Sequence, residues 1–365
     1  MYSNKNKLIK LINKKKFKKI FILSGKKSFI NSCSKHLFKN IIKKKIVKIY
    51  FKSSPYPEFE ELKKINKSLM DFSPDLFIAI GGGSVLDYGK IANVFLYKNI
   101  KKQKIISGKN TFKKNYKLIA IPTTAGSGAE VTSNAVIYVN KKKYSIENQK
   151  IMPDYYFLIP ELLIKVPKKV KASSGFDAIA QAIESMISKR SNSISFKFAK
   201  KSLKISLKNF INYIERPNLK NTKDMCLAAN FCGKAINISK TTAPHAVSYP
   251  FTSMYKLSHG HAVSLNFEKF LKFNFINMSR AKCKFNLKNR YKSIFKLIGV
   301  RDILEFENYI KKVKKKAGLE TNLKLLNINL KENINKIVSG INIKRLNNNP
   351  VNLTKQDVKR ILLKP

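Results

Sequence analysis

The chain has 365 residues, with 74 Lys and Arg against 21 Asp and Glu, giving a formal net charge of +53. With 44% hydrophobic residues, including 24 Phe and 15 Tyr, it is too apolar for a disordered polycation and long enough for two ordinary domains or one large one. No apolar run approaches the ~18 residues that cross a bilayer, and residues 20–23, behind the basic start, are shorter than the ~7–15 residue core of a signal peptide, so a globular, soluble, cytoplasmic protein is expected.

Strong positive charge raises the question of nucleic acid or acidic membranes. Arg stands only at 190, 216, 280, 290, 301, 345 and 360, so nearly all the charge is Lys. Arg is the residue of bidentate base and phosphate recognition, whereas Lys is a solvated point charge. Joint enrichment in Lys, Asn, Ile and Phe reads as codon drift on a tolerant surface, and the Lys runs at 14–19, 43–45 and 312–316 read as solvated faces or loop tips. Specific nucleic-acid binding is not expected. Cys33, Cys226, Cys232 and Cys283 form no CxxC pair, which fits a reducing compartment.

In chain order, short apolar runs alternate with longer mixed segments, the signature of βαβ units and a parallel sheet. Strands are predicted at 19–24 (turning at Gly25), 46–51, 76–80 and 118–121, with helices at 28–44, 59–70 and 84–97. Residues 136–139, 144–146 and 156–159 read as strands of a ribbon beside the sheet. From about residue 170 helical periodicity takes over, at 173–189, 193–213, 224–239 and much of 270–315. The expected organisation is an α/β nucleotide-binding domain over 1–167 and an all-helical domain over 168–365.

The third strand runs into Gly81, Gly82, Gly83 and Ser84, followed by Asp87 and Lys90. A glycine turn after a parallel strand lets the backbone approach an anion, and the following helix start supplies N–H donors. The spacing is not GxGxxG, so the usual dinucleotide fingerprint is absent. The fourth strand ends in Pro122, Thr123, Thr124, Ala125, Gly126, Ser127 and Gly128. Two small, hydroxyl-rich loops at adjacent strand ends form a ligand crevice of the kind open α/β sheets use.

In the helical part, Asp177 and Gln181 are four apart on one helix face, and His245, His259 and His261 fall within seventeen residues. One carboxylate, one amide oxygen and two imidazoles can bind a single divalent ion. Ahead of His245, Asn230, Lys234, Asn237 and Thr241 make a polar stripe, either a solvent face or a pocket wall, where Lys234 and Lys240 would suit an anionic substrate.

Collectively the segments 79–87, 122–132 and 175–178 and the two spaced histidines resemble the iron-containing (group III) alcohol dehydrogenase family, and the similarity runs nearly to the C-terminus. The resemblance implies a Rossmann-like α/β domain and a helical domain, with NAD(P) on the glycine turn and the Thr/Ser loop and a metal between the domains on one Asp and three His. It implies cofactor contacts from Gly81, Gly82, Gly83, Ser84, Asp87, Thr123, Thr124 and Ser127, and Fe²⁺ or Zn²⁺ on Asp177, His245 and His259. Gln181 stands where the family usually has its fourth ligand, a His, and Tyr249 where many members carry another active-site His. These departures are similar to the phosphonoacetaldehyde reductase branch, which reduces phosphonoacetaldehyde to 2-hydroxyethylphosphonate. Lys234, Lys240 and Thr241 are then candidates for the phosphonate.

The expected reaction is hydride transfer from NADH or NADPH to a small aldehyde, with His261 or Tyr249 relaying a proton to the alkoxide. The stretch after the second strand, Phe51-Lys52-Ser53-Ser54, has no acid and one Lys, which tolerates NADPH and places Lys52 near a 2′-phosphate. The resemblance also implies a homodimer or larger assembly and no membrane. The alternatives are a general short-chain alcohol dehydrogenase, a lyase of the dehydroquinate synthase type, and a polycationic nucleic-acid-binding protein on a retired enzyme fold.

Overall fold

The computed structural model describes residues 5–14, 17–32, 34–42, 45–95, 100–108, 112–140 and 142–364. The expected helix residues 43, 44, 96 and 97, the Lys-run positions 15 and 16, and Cys33 lie outside them. The chain divides into two compact units, Met1–Thr124 with Gly128–Val166, and Ala125–Ser127 with Pro167–Pro365.

The first unit is built on a five-stranded parallel sheet. Its strands are β1 (Lys19–Gly25), β2 (Ile46–Lys52), β3 (Leu76–Gly81), β4 (Lys117–Pro122) and β7 (Tyr155–Tyr156), in the order β2-β1-β3-β4-β7. Every residue of β3 is buried, as its unbroken apolar run requires of a strand covered on both faces. Edge strand β2 is only partly buried and carries Lys48 and Lys52, charges that discourage pairing with another edge. β5 (Asn134–Val139) and β6 (Lys142–Glu147) form an antiparallel ribbon. The helices of this unit are α1 (Lys5–Lys14), α2 (Lys26–Asn31), α3 (Ser34–Ile42), α4 (Phe59–Phe72), α5 (Gly83–Ala92), α6 (Lys102–Ser107) and α7 (Glu161–Ile164). The sheet order reverses between β1 and β3, which puts the loop after β3 at the switch point where such sheets bind ligands.

The second unit is helical: α8 (Lys168–Ile187), α9 (Ser193–Glu215), α10 (Leu219–Ser239), α11 (Ala243–Tyr255), α12 (His259–Ser264), α13 (Phe267–Ile276), α14 (Leu287–Ile298), α15 (Ile303–Lys316), α16 (Leu330–Ser339), α17 (Ile343–Leu346) and α18 (Lys355–Leu363). Helix α8 is buried on nearly all sides, so its polar residues Asp177, Gln181 and Glu184 must find partners inside the protein. Its neighbours α9 and α10 start at reciprocal capping boxes, Asn192 with Ser195 and Asn218 with Asn221. An α/β unit with a parallel sheet followed by a helical unit is the architecture the sequence pattern indicates. No helix of the described residues is long and apolar enough to cross a membrane.

Three local expectations need correction, and one element, α1, was not foreseen. The single helix expected over 28–44 is two, α2 and α3, because Ser32 and Ser34 turn inward and their hydroxyls meet at 2.6 Å in a buried break. Residues 156–159 do not extend the ribbon: β7 pairs with β4, and the Phe157 N–H donates to the Ala120 carbonyl at 3.0 Å. The basic start forms α1, whose Leu8 and Ile12 are fully buried. The Lys run at 312–316 is not wholly solvated, since Lys314 is 2% exposed and pairs with Glu268 at 2.7 Å.

Candidate functional site

In the first unit the turn after β3 is shaped by close approach. A Cβ on Gly81 would meet the Val85 side chain at 2.6 Å, so residue 81 has to be glycine for α5 to begin where it does. Gly82 is the N-cap of α5 and no side chain caps that end, which leaves the first-turn donors of Gly83 and Ser84 available to an anion. The Thr123 N–H donates to the Gly81 carbonyl at 2.9 Å, and the Thr124 side chain lies about 3.5 Å from where a Gly82 Cβ would stand. The two loops therefore abut. Ser127 is half-buried and belongs to the second unit, where a Cβ on the preceding Gly126 would come within 2.7 Å of the Ser174 carbonyl.

Two expected cofactor residues are engaged by the protein itself. The Asp87 carboxylate accepts the Val136 N–H at 3.1 Å and faces the Lys90 ammonium at 3.8 Å, so it fastens the ribbon to α5. Lys90 is fully buried and donates to the Thr132 hydroxyl at 2.9 Å and the Asn134 carbonyl at 2.7 Å. Burial pushes its pKa down to about 8, against the opposing charges of Asp87 and Glu130. Lys52 curls back onto the Ser54 carbonyl, and burial lowers its pKa while Glu61 opposes the shift. The stretch after β2 also acquires the acid it lacks in sequence. Glu61, from α4 and 5% exposed, accepts the Ser53 hydroxyl at 2.6 Å, the Ser53 N–H at 3.2 Å and the Tyr50 hydroxyl at 3.3 Å. Nothing in the linear order of residues 51–54 announces that carboxylate.

In the second unit, Asp177 on α8, His245 on α11 and His259 at the start of α12 offer ligand atoms that all lie within 4.8 Å of one another. His245 Nε2 is 3.1 Å from Asp177 Oδ1, and His259 Nε2 is 3.9 Å from the same oxygen. Gly260 makes this possible: a Cβ there would stand 1.9 Å from the Ser173 carbonyl and 2.9 Å from the Asp177 Cβ, so α12 seats directly on α8.

Glu184 sets the protonation of the group. It is fully buried, and its Oε1 accepts the Thr242 N–H and hydroxyl, both at 2.8 Å, while its Oε2 bonds His245 Nδ1. A carboxylate accepts only, so Nδ1 carries the proton and Nε2 is aimed at the Asp177 oxygen. Two lone pairs facing each other at that distance need a cation between them, either a proton or a metal. In the protonated form burial works against the charge, but Glu184 and Asp177 outweigh it and raise the His245 pKa to about 10. Burial likewise opposes ionisation of Asp177, yet the His245 bond and the charges of His259 and His245 hold its pKa below the usual carboxylate value. A hard carboxylate and two imidazoles, one of them locked by a second carboxylate, fit a divalent first-row ion.

The other expected site residues divide. Tyr249 lies beside His259, with ring centroids 6.0 Å apart and the rings tilted by 37°. Gln181 is buried beside Asp177, but its amide N–H donates to Asp177 Oδ2 at 2.9 Å and its oxygen accepts from the Cys232 thiol at 3.1 Å. The ligating atom expected of Gln181 is thus turned away from the donors, because a bare carboxylate attracts the amide hydrogens. His261 is not part of the group: its Nε2 bonds the Glu320 carbonyl at 2.7 Å and its N–H the Ser173 hydroxyl at 3.1 Å. Lys234 lies over the Phe198 and Phe231 rings, at 5.9 and 5.6 Å, where its charge meets π-faces on α9 and α10. Lys240 ends α10 with φ of 59°, and Thr241 is 5% exposed with its carbonyl bonded by Asn348. Both immediately precede Thr242, which holds Glu184. Glu184 itself had a signal in the sequence, since positions 177, 181 and 184 share one face of a buried helix.

A glycine-turn parallel sheet, together with a helical unit bearing one Asp and two His, defines a class, the iron-type alcohol dehydrogenase fold. Residues 3–160 match the family model for iron-containing alcohol dehydrogenase, and residues 171–365 match the C-terminal model of the Fe-containing alcohol dehydrogenase family. The chain belongs to the iron-containing alcohol dehydrogenase family.

It is similar to the 4-hydroxybutyrate dehydrogenase of Clostridium kluyveri, 30% identical over 62% of this chain and 62% of that one. It is similar also to the phosphonoacetaldehyde reductase of Streptomyces viridochromogenes, 27% identical over 59% and 57% respectively. The matched stretch thus spans about three fifths of the length of these relatives. Among solved structures, the sulfoacetaldehyde reductase of Bifidobacterium kashiwanohense in complex with NAD⁺ superposes with a TM-score of 0.87 at 26% identity, covering 99% of this chain and 96% of that one.

Proposed function

We propose that the protein is a metal-dependent NAD(P)H oxidoreductase that reduces a short aldehyde bearing an anionic group to the primary alcohol, with phosphonoacetaldehyde to 2-hydroxyethylphosphonate as the specific reaction. The observation that carries this reading is the convergence of Asp177, His245 and His259 with Glu184 locking the His245 tautomer. Three relatives share one substrate class: 4-hydroxybutyrate, phosphonoacetaldehyde and sulfoacetaldehyde are all short chains with an anion at one end and an alcohol or aldehyde at the other, whereas others are named for neutral alcohols, 1-propanol and long-chain alcohols among them.

Asp177, His245 and His259 would hold the divalent ion, and bound ion and cofactor would supply Lewis-acid polarisation of a carbonyl and the hydride that reduces it. Glu184 keeps His245 Nε2 available as a ligand by holding the proton on Nδ1. The glycine turn and the Thr123–Thr124 loop bind the cofactor's phosphates through backbone and hydroxyl donors. Lys240 and Thr241 are the residues proposed to meet the substrate anion. Tyr249, beside His259, is better placed than His261 to return a proton to the alkoxide through water.

Glu61 at the end of β2 favours ribose hydroxyls over a 2′-phosphate, which points to NADH. Glu61→Gln is expected to raise NADPH turnover relative to NADH at least fivefold, and an unchanged ratio would remove Glu61 from cofactor choice.

The test is a panel of short aldehydes with and without a phosphonate, sulfonate or carboxylate, assayed with NADH and NADPH after loading with Fe²⁺ or Zn²⁺. A preference for the anionic aldehydes supports the proposal. Equal turnover of neutral and anionic aldehydes would leave a general short-chain alcohol dehydrogenase, and no turnover with any metal would sink both.

A further inference from the structure

A cavity of about 580 Å³ opens in the helical unit between α13, the end of α15 and the turn that follows it, and none of Asp177, His245 and His259 lines it. Its floor is a buried ion pair. Glu268 is 3% exposed and its Oε1 accepts from Lys314 Nζ at 2.7 Å, while Lys314 donates a second bond to the Ser264 carbonyl at 3.0 Å. The other oxygen, Glu268 Oε2, is buried and accepts no hydrogen bond from the described residues. A buried carboxylate oxygen left without a donor costs free energy, so the site favours anything that brings one.

The surroundings select the charge of what enters. Lys269, Lys311, Lys314 and Lys315 line the cavity against Glu268 and Glu320, a formal excess of two positive charges. Glu320 is spent on its own turn, with its Oε1 accepting the N–H groups of Thr321 and Asn322 at 2.8 and 2.6 Å. Lys311 leans on Glu307 at 2.7 Å and Lys269 on the Lys364 carbonyl, whereas the Lys315 side chain is exposed and makes no hydrogen bond to a described residue. Field alone would accept any dianion. The unmet oxygen of Glu268 discriminates among dianions, because it favours one that also carries a hydrogen-bond donor, such as a hydroxyl, over one that carries only acceptors.

We propose that this cavity is a binding site for a small dianion that also carries a hydroxyl group, a phosphate monoester or dicarboxylate of a polyol or hydroxy acid. The phosphate or carboxylate sits among the lysines and the hydroxyl donates to Glu268 Oε2. The proposal is independent of the reduction assigned above, since it uses neither the metal donors nor the glycine turn.

The test is calorimetric titration of the full, metal-loaded chain at constant ionic strength with matched pairs: glycerol 2-phosphate against ethyl phosphate, and malate against succinate. Each pair has nearly the same charge and differs in its hydroxyls, so the general attraction of a polycation for anions cancels within it. At least one hydroxylated member should bind once per chain and about tenfold more tightly than its partner, as a charged hydrogen bond allows. Glu268→Gln should shrink that preference to under threefold, and Lys315→Ala, at an exposed position that leaves the fold alone, should weaken both members of the favoured pair about threefold. Equal affinities within both pairs would overturn the proposal, as would binding indifferent to Lys315→Ala.

Discussion

Glu184 has four donors converging on its two oxygens, the N–H and hydroxyl of Thr242 and the backbone N–H and Nδ1 of His245, and no exposure to water. Replacing it by Gln keeps the shape and some of the bonds but presents an amide hydrogen or a neutral oxygen to His245 Nδ1, so the imidazole loses the charge that fixes its tautomer. Glu184→Gln is therefore expected to weaken metal binding about 10–100-fold, measured by chelator competition, with little change in the helical spectrum. Unaltered affinity would make Glu184 a packing residue only. Lys90 makes a different kind of prediction. Its folded pKa of about 8 lies below the ordinary lysine value of 10.5, so between those values the unfolded chain holds a proton that the folded chain has lost. Stability contributed at this site should rise with pH across that window by about 3 kcal/mol, and the penalty stays in full below pH 8. Denaturation curves at pH 7.5, 9 and 10 should show this rise in the wild type minus Lys90→Met difference; a flat difference would mean that Lys90 stays charged throughout. Asp177, His245 and His259 were legible because each is a rare residue type in a recognisable spacing. The Glu61 carboxylate was not, because it reaches Ser53 only through α4 folding over the end of β2, and the placement of Lys234 over Phe198 and Phe231 was not, because a cation and an aromatic face on adjacent helices carry no shared sequence signal.

At the scale of elements, the short helix α12 is held against α8 by an absence. A methyl group on residue 260 would lie 1.9 Å from the Ser173 carbonyl oxygen, which is backbone and has no rotamer to yield. Gly260→Ala must therefore lift α12 off α8, carrying His259 away from Asp177. Overpacking of this kind costs about 1–3 kcal/mol or more, a melting shift of several degrees, and here it should also reduce metal affinity beyond what the lost stability explains. Gly25→Ala is the control, because its Cβ would meet only the movable Ser28 hydroxyl at 3.1 Å. Equal effects from the two would refute the seating argument. The central strands were readable from apolar runs bounded by glycine and proline, since burial on both faces leaves no alternative pattern. The errors fell where that signal is thin. β7 is two residues long and belongs to the sheet only through its pairing with β4, and the break between α2 and α3 depends on two serine hydroxyls finding each other.

Over the whole molecule, 21 carboxylates cannot neutralise 74 cations, however they are arranged. Some lysines are absorbed into structure: Lys90 in its polar nest, Lys314 on Glu268, and Lys102 between Glu60 at 2.9 Å and the Phe59 ring at 5.5 Å. Most of the rest must repel one another across a surface where the folded chain holds them closer than the unfolded chain does. Such repulsion destabilises the compact state and is screened over the ~8 Å Debye length of physiological salt. Raising sodium chloride from about 10 to about 300 mM should therefore raise the melting temperature by several degrees, most of the gain coming below about 150 mM as the Debye length shrinks to the spacing of neighbouring charges. An ordinary protein with balanced charge would lose its surface ion pairs over the same range and gain little. A melting temperature that stayed flat or fell would mean that the lysines sit in attractive networks. The sequence reading of them as a tolerated, largely functionless coat would then fail, even with the metal donors and the glycine turn in place.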